Sequence, residues 1–263
     1  MSSLSAGPRR RAFAFVALVV FVAGALSGAA SGARAGEVSV AVAANFAVPL
    51  ERIAAGFTAA TGHTIKASPG ATGKFHSQIV AGAPFEVLVS ADDETPRKLI
   101  ASGHAVAGTA FTYAIGRLVL WSAQPGLVDD QGAVLASGKF AKVAIANPKT
   151  APYGAAALEV LKARGLSDAV TPKLVTAESI AQAFQFVATG NAEIGFVALS
   201  QVAPPGKPAA GSWWVVPQNL YGEIRQDAVL LKAGAQNPAA VALMAYLKSP
   251  AAREVIRSFG YGF

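Results

Sequence analysis

Apolar residues along the chain follow two rhythms that alternate. Glu37-Val-Ser-Val-Ala-Val-Ala43 is a Val-rich run that reads as a buried strand. Pro49 to Thr61 has apolar residues at helical spacing (Leu50, Ile53, Ala54, Phe57) and stops at Gly62, a residue suited to a helix C-terminal cap. Thr64 to Ala67 predicts a second strand, followed by a Pro-Gly turn and a helix from about Lys74 to Ala81. Glu86 to Ser90 is a third strand, and Asp92 or Asp93 then caps a helix reaching Ser102. Strands alternating with helices call for a mainly parallel sheet covered on both faces.

The pattern repeats further on. Tyr113 to Trp121 is a longer apolar run of β character. After a turn-rich stretch come a strand from Lys142 to Ala146, helices from Gly154 to Arg164 and Glu178 to Thr189, and a strand from Glu193 to Leu199. A Pro/Gly loop (204–208) precedes strands at Trp213–Val216 and Asp227–Leu231, and two helices close the chain. The layout fits two α/β lobes joined by two crossover strands, Tyr113–Trp121 and Ile224–Leu231. One lobe comprises residues 36–115 and 228–263, the other 116–227, with the last helices returning to the first lobe. Ligands in such sheets bind beyond the strand C-termini, where loops enter helix N-termini.

The first 35 residues are expected to stand outside this fold. Arg9, Arg10 and Arg11 precede an apolar run from Ala12 to Ala25, and Ala33-Arg34-Ala35 forms an A-x-A cleavage site, the layout of a secretory signal peptide. Its removal changes the charge. The segment holds four of the 22 Lys and Arg residues and none of the 15 acids, so the formal +7 falls to +3. That mild excess can help an anion approach and is too dispersed for nucleic acid. With no cysteine, the chain carries neither a lipid anchor nor a disulfide.

Catalytic signatures are missing. His63, His76 and His104 lie far apart without partners at metal-ligand spacing, and no G-x-S-x-G elbow occurs. Gly70-Ala-Thr-Gly73-Lys74 approaches a phosphate-binding loop, but Ser68 and Phe75 stand where that pattern needs Gly and Ser or Thr. Asp92-Asp93 and Asp129-Asp130 are adjacent pairs, which suits capping and turns. The chain does not read as an enzyme, and no cofactor is implied.

Four loop-to-helix junctions carry the candidate chemistry. They are Ala43-Ala44-Asn45-Phe46, Ala71-Thr72-Gly73-Lys74, Pro148 to Gly154, and Ala177-Glu178-Ser179-Ile180, two in each lobe. Each presents free N–H groups where the helix dipole favours an anion, and Asn45, Thr72 and Tyr153 add side-chain donors.

The chain resembles the periplasmic molybdate-binding protein family, ModA, over essentially its whole length beyond the signal. The resemblance rests on Val40-Ala-Val-Ala-Ala-Asn45-Phe46, on Gln78-Ile-Val-Ala-Gly-Ala-Pro84 running into Val89-Ser-Ala-Asp92, and on Asn147-Pro148…Ala151-Pro152-Tyr153-Gly154. Gly190-Asn-Ala-Glu-Ile-Gly195-Phe196-Val197-Ala-Leu-Ser200 and Gln226-Asp227-Ala228-Val229-Leu230 extend it. It implies a two-lobed type II periplasmic binding fold in which the crossover strands act as a hinge. It also implies a monomer in the periplasm that captures molybdate or tungstate and delivers it to the membrane permease of an ABC importer. The alternative is another tetrahedral oxyanion such as sulfate, thiosulfate or chromate. By the resemblance the ion would be held by Ala44 and Asn45 (mainly through backbone), by Thr72 where the family usually has serine, by Tyr153, and by the N–H of Ile180. Many members have a ligand tyrosine where this chain has Ala198, so the resemblance points to the subgroup in which Tyr153 supplies the phenol.

Overall fold

The protein is described here by a computed structural model covering residues 2–4, 35–207 and 210–263. The expected signal peptide lies almost wholly outside the described residues, as does Pro208 of the Pro/Gly loop.

Two five-stranded sheets organise the chain. The first forms from β1 (Glu37–Ala43), β2 (Thr64–Gly70), β3 (Val87–Val89), β4 (Phe111–Gly116) and β10 (Ile224–Leu230), in the order β2-β1-β3-β10-β4. The second holds β5 (Leu118–Ser122), β6 (Val143–Ala146), β7 (Leu174–Ala177), β8 (Ile194–Ala198) and β9 (Ser212–Val215), in the order β7-β6-β8-β5-β9. In each sheet one strand is reversed: β10 pairs antiparallel with β3 and β4, and β5 pairs antiparallel with β8 and β9. The other pairings are parallel.

The helices are α1 (Ala47–Thr61), α2 (Thr72–Val80), α3 (Glu94–Ala101), α4 (Val134–Ser137), α5 (Pro152–Ala163), α6 (Ser167–Val170), α7 (Ile180–Ala188), α8 (Leu199–Val202), α9 (Pro238–Tyr246) and α10 (Pro250–Ser258). Period-two alternation in β1 divides its neighbours. Val38, Val40 and Val42 pack with Leu50, Ile53 and Phe57 of α1 and with Leu243 and Ile256 of α9 and α10, which closes the expected return of the last helices. Ala41 faces the other way, with Phe75 of α2 and Leu99 of α3. Gly62 ends α1 at φ 74°, its N–H on the Thr58 carbonyl, a conformation open to glycine at little cost.

Three expectations change in detail. Pro69-Gly70 is not a turn: β2 continues through both residues, pairing Pro69 with Val42 and Gly70 with Ala43. It can do so because β2 is an edge strand, where the N–H that proline lacks need not join a ladder. The apolar run Tyr113–Trp121 is two strands, β4 and β5, and the chain passes between sheets at Arg117. The expected lobe limit at residue 227 falls inside β10, all seven residues of which belong to the first sheet.

Candidate functional site

The four junctions follow β1, β2, β6 and β7, parallel neighbours in each sheet, so their helix starts converge. A 3-10 turn (Ala44–Phe46) leads from β1 into α1. Helix α2 begins at Thr72 and α5 at Pro152, each two residues earlier than the apolar spacing indicates, which puts Thr72 and Tyr153 in first turns. Pro152 suits a first helical position because its missing N–H is not needed there. Helix α7 begins at Ile180 rather than Glu178, because Ser179 caps it by accepting the Gln182 N–H at 3.3 Å. First-turn N–H groups have no carbonyl one turn back to bond, so each junction offers donors.

Ala44, Asn45, Thr72, Tyr153 and Ile180 line one small cleft, with Gly70, Ala71 and Ala151 between them. Its free space is about 10 Å3, so a guest must be small and in contact with the walls. None of these residues is charged. The nearest ion pair, Lys74 with Glu178, joins the two sides at the rim and is about half exposed. Also spanning the two sides, the Gly73 N–H donates to the Thr150 carbonyl at 2.9 Å, and Ser200 Oγ donates to the Asn45 carbonyl at 2.9 Å.

Two hydroxyls are wired from behind. Thr72 Oγ1 accepts the Ala91 N–H at 3.0 Å, and Tyr153 Oη accepts from Gln226 Nε2 at 3.0 Å. Among the described residues neither hydroxyl hydrogen has an acceptor, so both remain to be given. Burial is the main cause that holds the Tyr153 phenol well above its ordinary pKa, with the nearby Tyr261 adding to it, so it stays protonated. Asn45 behaves differently. Its expected role as a side-chain donor does not hold in this arrangement, because Nδ2 is spent on Gln226 Oε1 (2.9 Å) and Tyr261 Oη (3.0 Å). Its Oδ1 is buried with no partner among the described residues. The backbone of Asn45 is what it can offer.

Larger spaces lie on either side of the cleft. One groove of about 600 Å3 is lined by five carboxylates (Asp92, Asp93, Glu94, Glu159 and Glu223) against three cations (Lys98, Lys149 and Arg225), a balance that does not favour an anion. Burial raises the Asp92 pKa against the pull of its bonds to Thr95 and Ser90, and its Oδ1 caps α3 by accepting the Thr95 N–H at 2.9 Å. The other groove, of about 710 Å3, has Val48, Phe184, Pro204 and Pro205 in its walls. Both have charged side chains in their walls, whereas the residues lining the small cleft are all uncharged.

Sequence reasoning did not single out Gln226, Tyr113, Tyr261 or Ser200, which tie the site from beneath. The visible signal was slight: Gln226 sits between Arg225 and Asp227 at the polar start of β10. Their partners are 23 to 216 residues away along the chain, beyond any local pattern.

Two α/β lobes with a cleft of helix starts between them define a solute-binding protein rather than an enzyme. In keeping with this, residues 38–262 match the family model described as bacterial extracellular solute-binding protein. The chain is 61% identical over 233 residues, 89% of its length and 92% of the relative's, to the molybdate-binding protein ModA of Azotobacter vinelandii. It is 56% identical to ModA of Rhodobacter capsulatus over 89% of this chain and 91% of that one. The solved structure of the Azotobacter vinelandii periplasmic molybdate-binding protein superimposes with a TM-score of 0.84 at 44% identity, covering 86% of this chain and 99% of that one. This chain belongs to the ModA family of solute-binding proteins.

Proposed function

We propose that the protein captures molybdate in the cleft between Ala44, Asn45, Thr72, Tyr153 and Ile180, and hands it to the permease of an ABC importer. The observation that carries this reading is the meeting of four helix starts, two from each sheet, around one cleft of uncharged donors. The names of two relatives, at 61% and 56% identity, support the choice of ion. A dianion held without countercharge depends on number of donors. Hydrogen bonds to a charged group contribute about 1.5–3 kcal/mol each, so roughly six offset much of the ion's desolvation. Micromolar binding needs a net of only about 8 kcal/mol.

Asn45, Thr72, Tyr153 and Ile180 are all buried, so entry of the ion requires the lobes to part about Arg117 and the 216–223 connection. Tungstate has the charge and shape of molybdate and should bind comparably. Sulfate is smaller, and its oxygens would reach fewer of the donors at once. The match to extracellular solute-binding proteins supports capture of the ion in the periplasm, before the membrane.

Calorimetric titration of the chain lacking residues 1–35 tests this. Molybdate is expected to bind at micromolar concentration or below, tungstate within about tenfold of it, and sulfate at least about a hundredfold more weakly, a gap of some 2.7 kcal/mol. Sulfate binding as tightly as molybdate would contradict the proposed ion, and no binding of any of the three would contradict the cleft.

A further inference from the structure

Gln226 lies directly beneath the cleft yet touches it only through other residues. It is fully buried in β10, at the point where the register between β10 and β4 shifts between Gln226 and Asp227. The extra residue is Tyr113 on β4, while β10 keeps its alternation and buries Ile224, Gln226 and Ala228 on one face, so the bulge brings Tyr113 against Gln226. A buried amide must satisfy both ends, and here each end has a distinct set of neighbours. Oε1 takes the Asn45 Nδ2 donor at 2.9 Å and sits 2.9 Å from Tyr113 Oη, whose single hydrogen is shared with the Ser90 carbonyl at 2.8 Å. Nε2 is then turned to Tyr153 Oη at 3.0 Å.

We propose that Gln226 is a positioning residue that directs the phenol hydrogen of Tyr153 into the cleft. The inference rests on the molybdate-binding reading of the site. By donating to Oη, Nε2 fills the oxygen's acceptor position from behind, and the one hydrogen of the phenol is left for an acceptor in front. With the amide reversed, Oε1 would consume that hydrogen, and the phenol would present only lone pairs to an anion. The amide sense therefore decides whether Tyr153 attracts an oxyanion or repels it.

Gly116 makes the pairing sterically possible. A Cβ there would come within 2.3 Å of Tyr153 Oη and 2.5 Å of Gln226 Nε2, so any side chain would wedge the two apart. This accounts for a glycine at the end of β4, where no positive φ demands one.

A double-mutant cycle tests the proposal, with molybdate as the probe and calorimetry as the readout. Gln226→Met keeps the length and removes the donor, and Tyr153→Phe removes the phenol. Gln226→Met is expected to weaken binding about tenfold in the otherwise native chain and less than twofold in the Tyr153→Phe chain, because the glutamine acts through the phenol. Equal losses in both backgrounds would show a merely structural role and overturn this proposal alone. Molybdate bound undiminished by Tyr153→Phe would overturn it together with the phenol's place in the site. Should Gln226→Met fail to fold, Gln226→Glu gives the same reading through pH. Its carboxylate withdraws the phenol hydrogen, whereas its protonated form can donate to Oη. Affinity relative to the native chain should therefore recover as pH falls from about 8 to 5, the range in which a buried glutamate titrates. A ratio flat across that range would overturn the proposal.

Discussion

Thr72 and Tyr153 obey one rule at different distances from the backbone. A hydroxyl can accept and donate, and each has its acceptor position occupied by a fixed N–H of the protein. Thr72→Ser keeps that arrangement and should leave molybdate affinity within about threefold. Thr72→Ala removes a donor to a charged ligand, worth about 1.5–3 kcal/mol, and strands the buried Ala91 N–H. It should weaken binding by at least about tenfold and lower the melting temperature as well. Native affinity in Thr72→Ala would show that this hydroxyl gives nothing to the ligand. Asn45 marks the limit of reading residues by type. An asparagine at a helix start suggests an amide donor, but both of its side-chain N–H groups are spent inside the protein.

At the scale of elements, the site depends on how α2 meets the loop before α5. Gly73 approaches Thr150 so closely that a Cβ would lie 2.9 Å from the Thr150 Cα, and backbone cannot yield as a flexible side chain can. Gly73→Ala therefore wedges the two sides of the cleft apart without touching either hydrophobic core. Molybdate affinity should fall by about tenfold or more, near 1.4 kcal/mol, while the melting temperature of the ligand-free protein stays within a few degrees. A large fall in that melting temperature with affinity intact would contradict this assignment of the contact. The rim pair Lys74–Glu178 joins α2 to the loop before α7 instead and is half exposed or more, and exposed pairs contribute only about 0–1 kcal/mol. Closure rests on the backbone contact more than on this pair.

The whole molecule shows what a one-dimensional pattern can carry. Val-rich runs and helical spacing announce β1, α1, β3 and β8 because their partners are set by period and burial within one segment. The four junctions were legible for the same reason: strand end, short loop and helix start are contiguous. Pro69-Gly70 misled because a turn signal and an edge strand share a composition, and only the sheet order decides between them. The Gln226 network was illegible, since Asn45 and Gln226 are 181 residues apart and Tyr153 and Gln226 are 73 apart. Those contacts exist because the chain leaves the first sheet at Arg117 and returns with β10, laying a late strand between early ones.

The central claim is that neutral donors from both sheets enclose the ion in the small cleft. The most direct measurement is a crystal structure of the protein grown with molybdate, with molybdenum located by its anomalous scattering. The account predicts a single strong peak between Asn45, Thr72, Tyr153 and Ile180, with the oxygens about 2.7–3.1 Å from their N–H and O–H groups. A peak in the carboxylate-lined groove beside Asp92 and Glu223, or an ion held by Lys or Arg side chains, would contradict it.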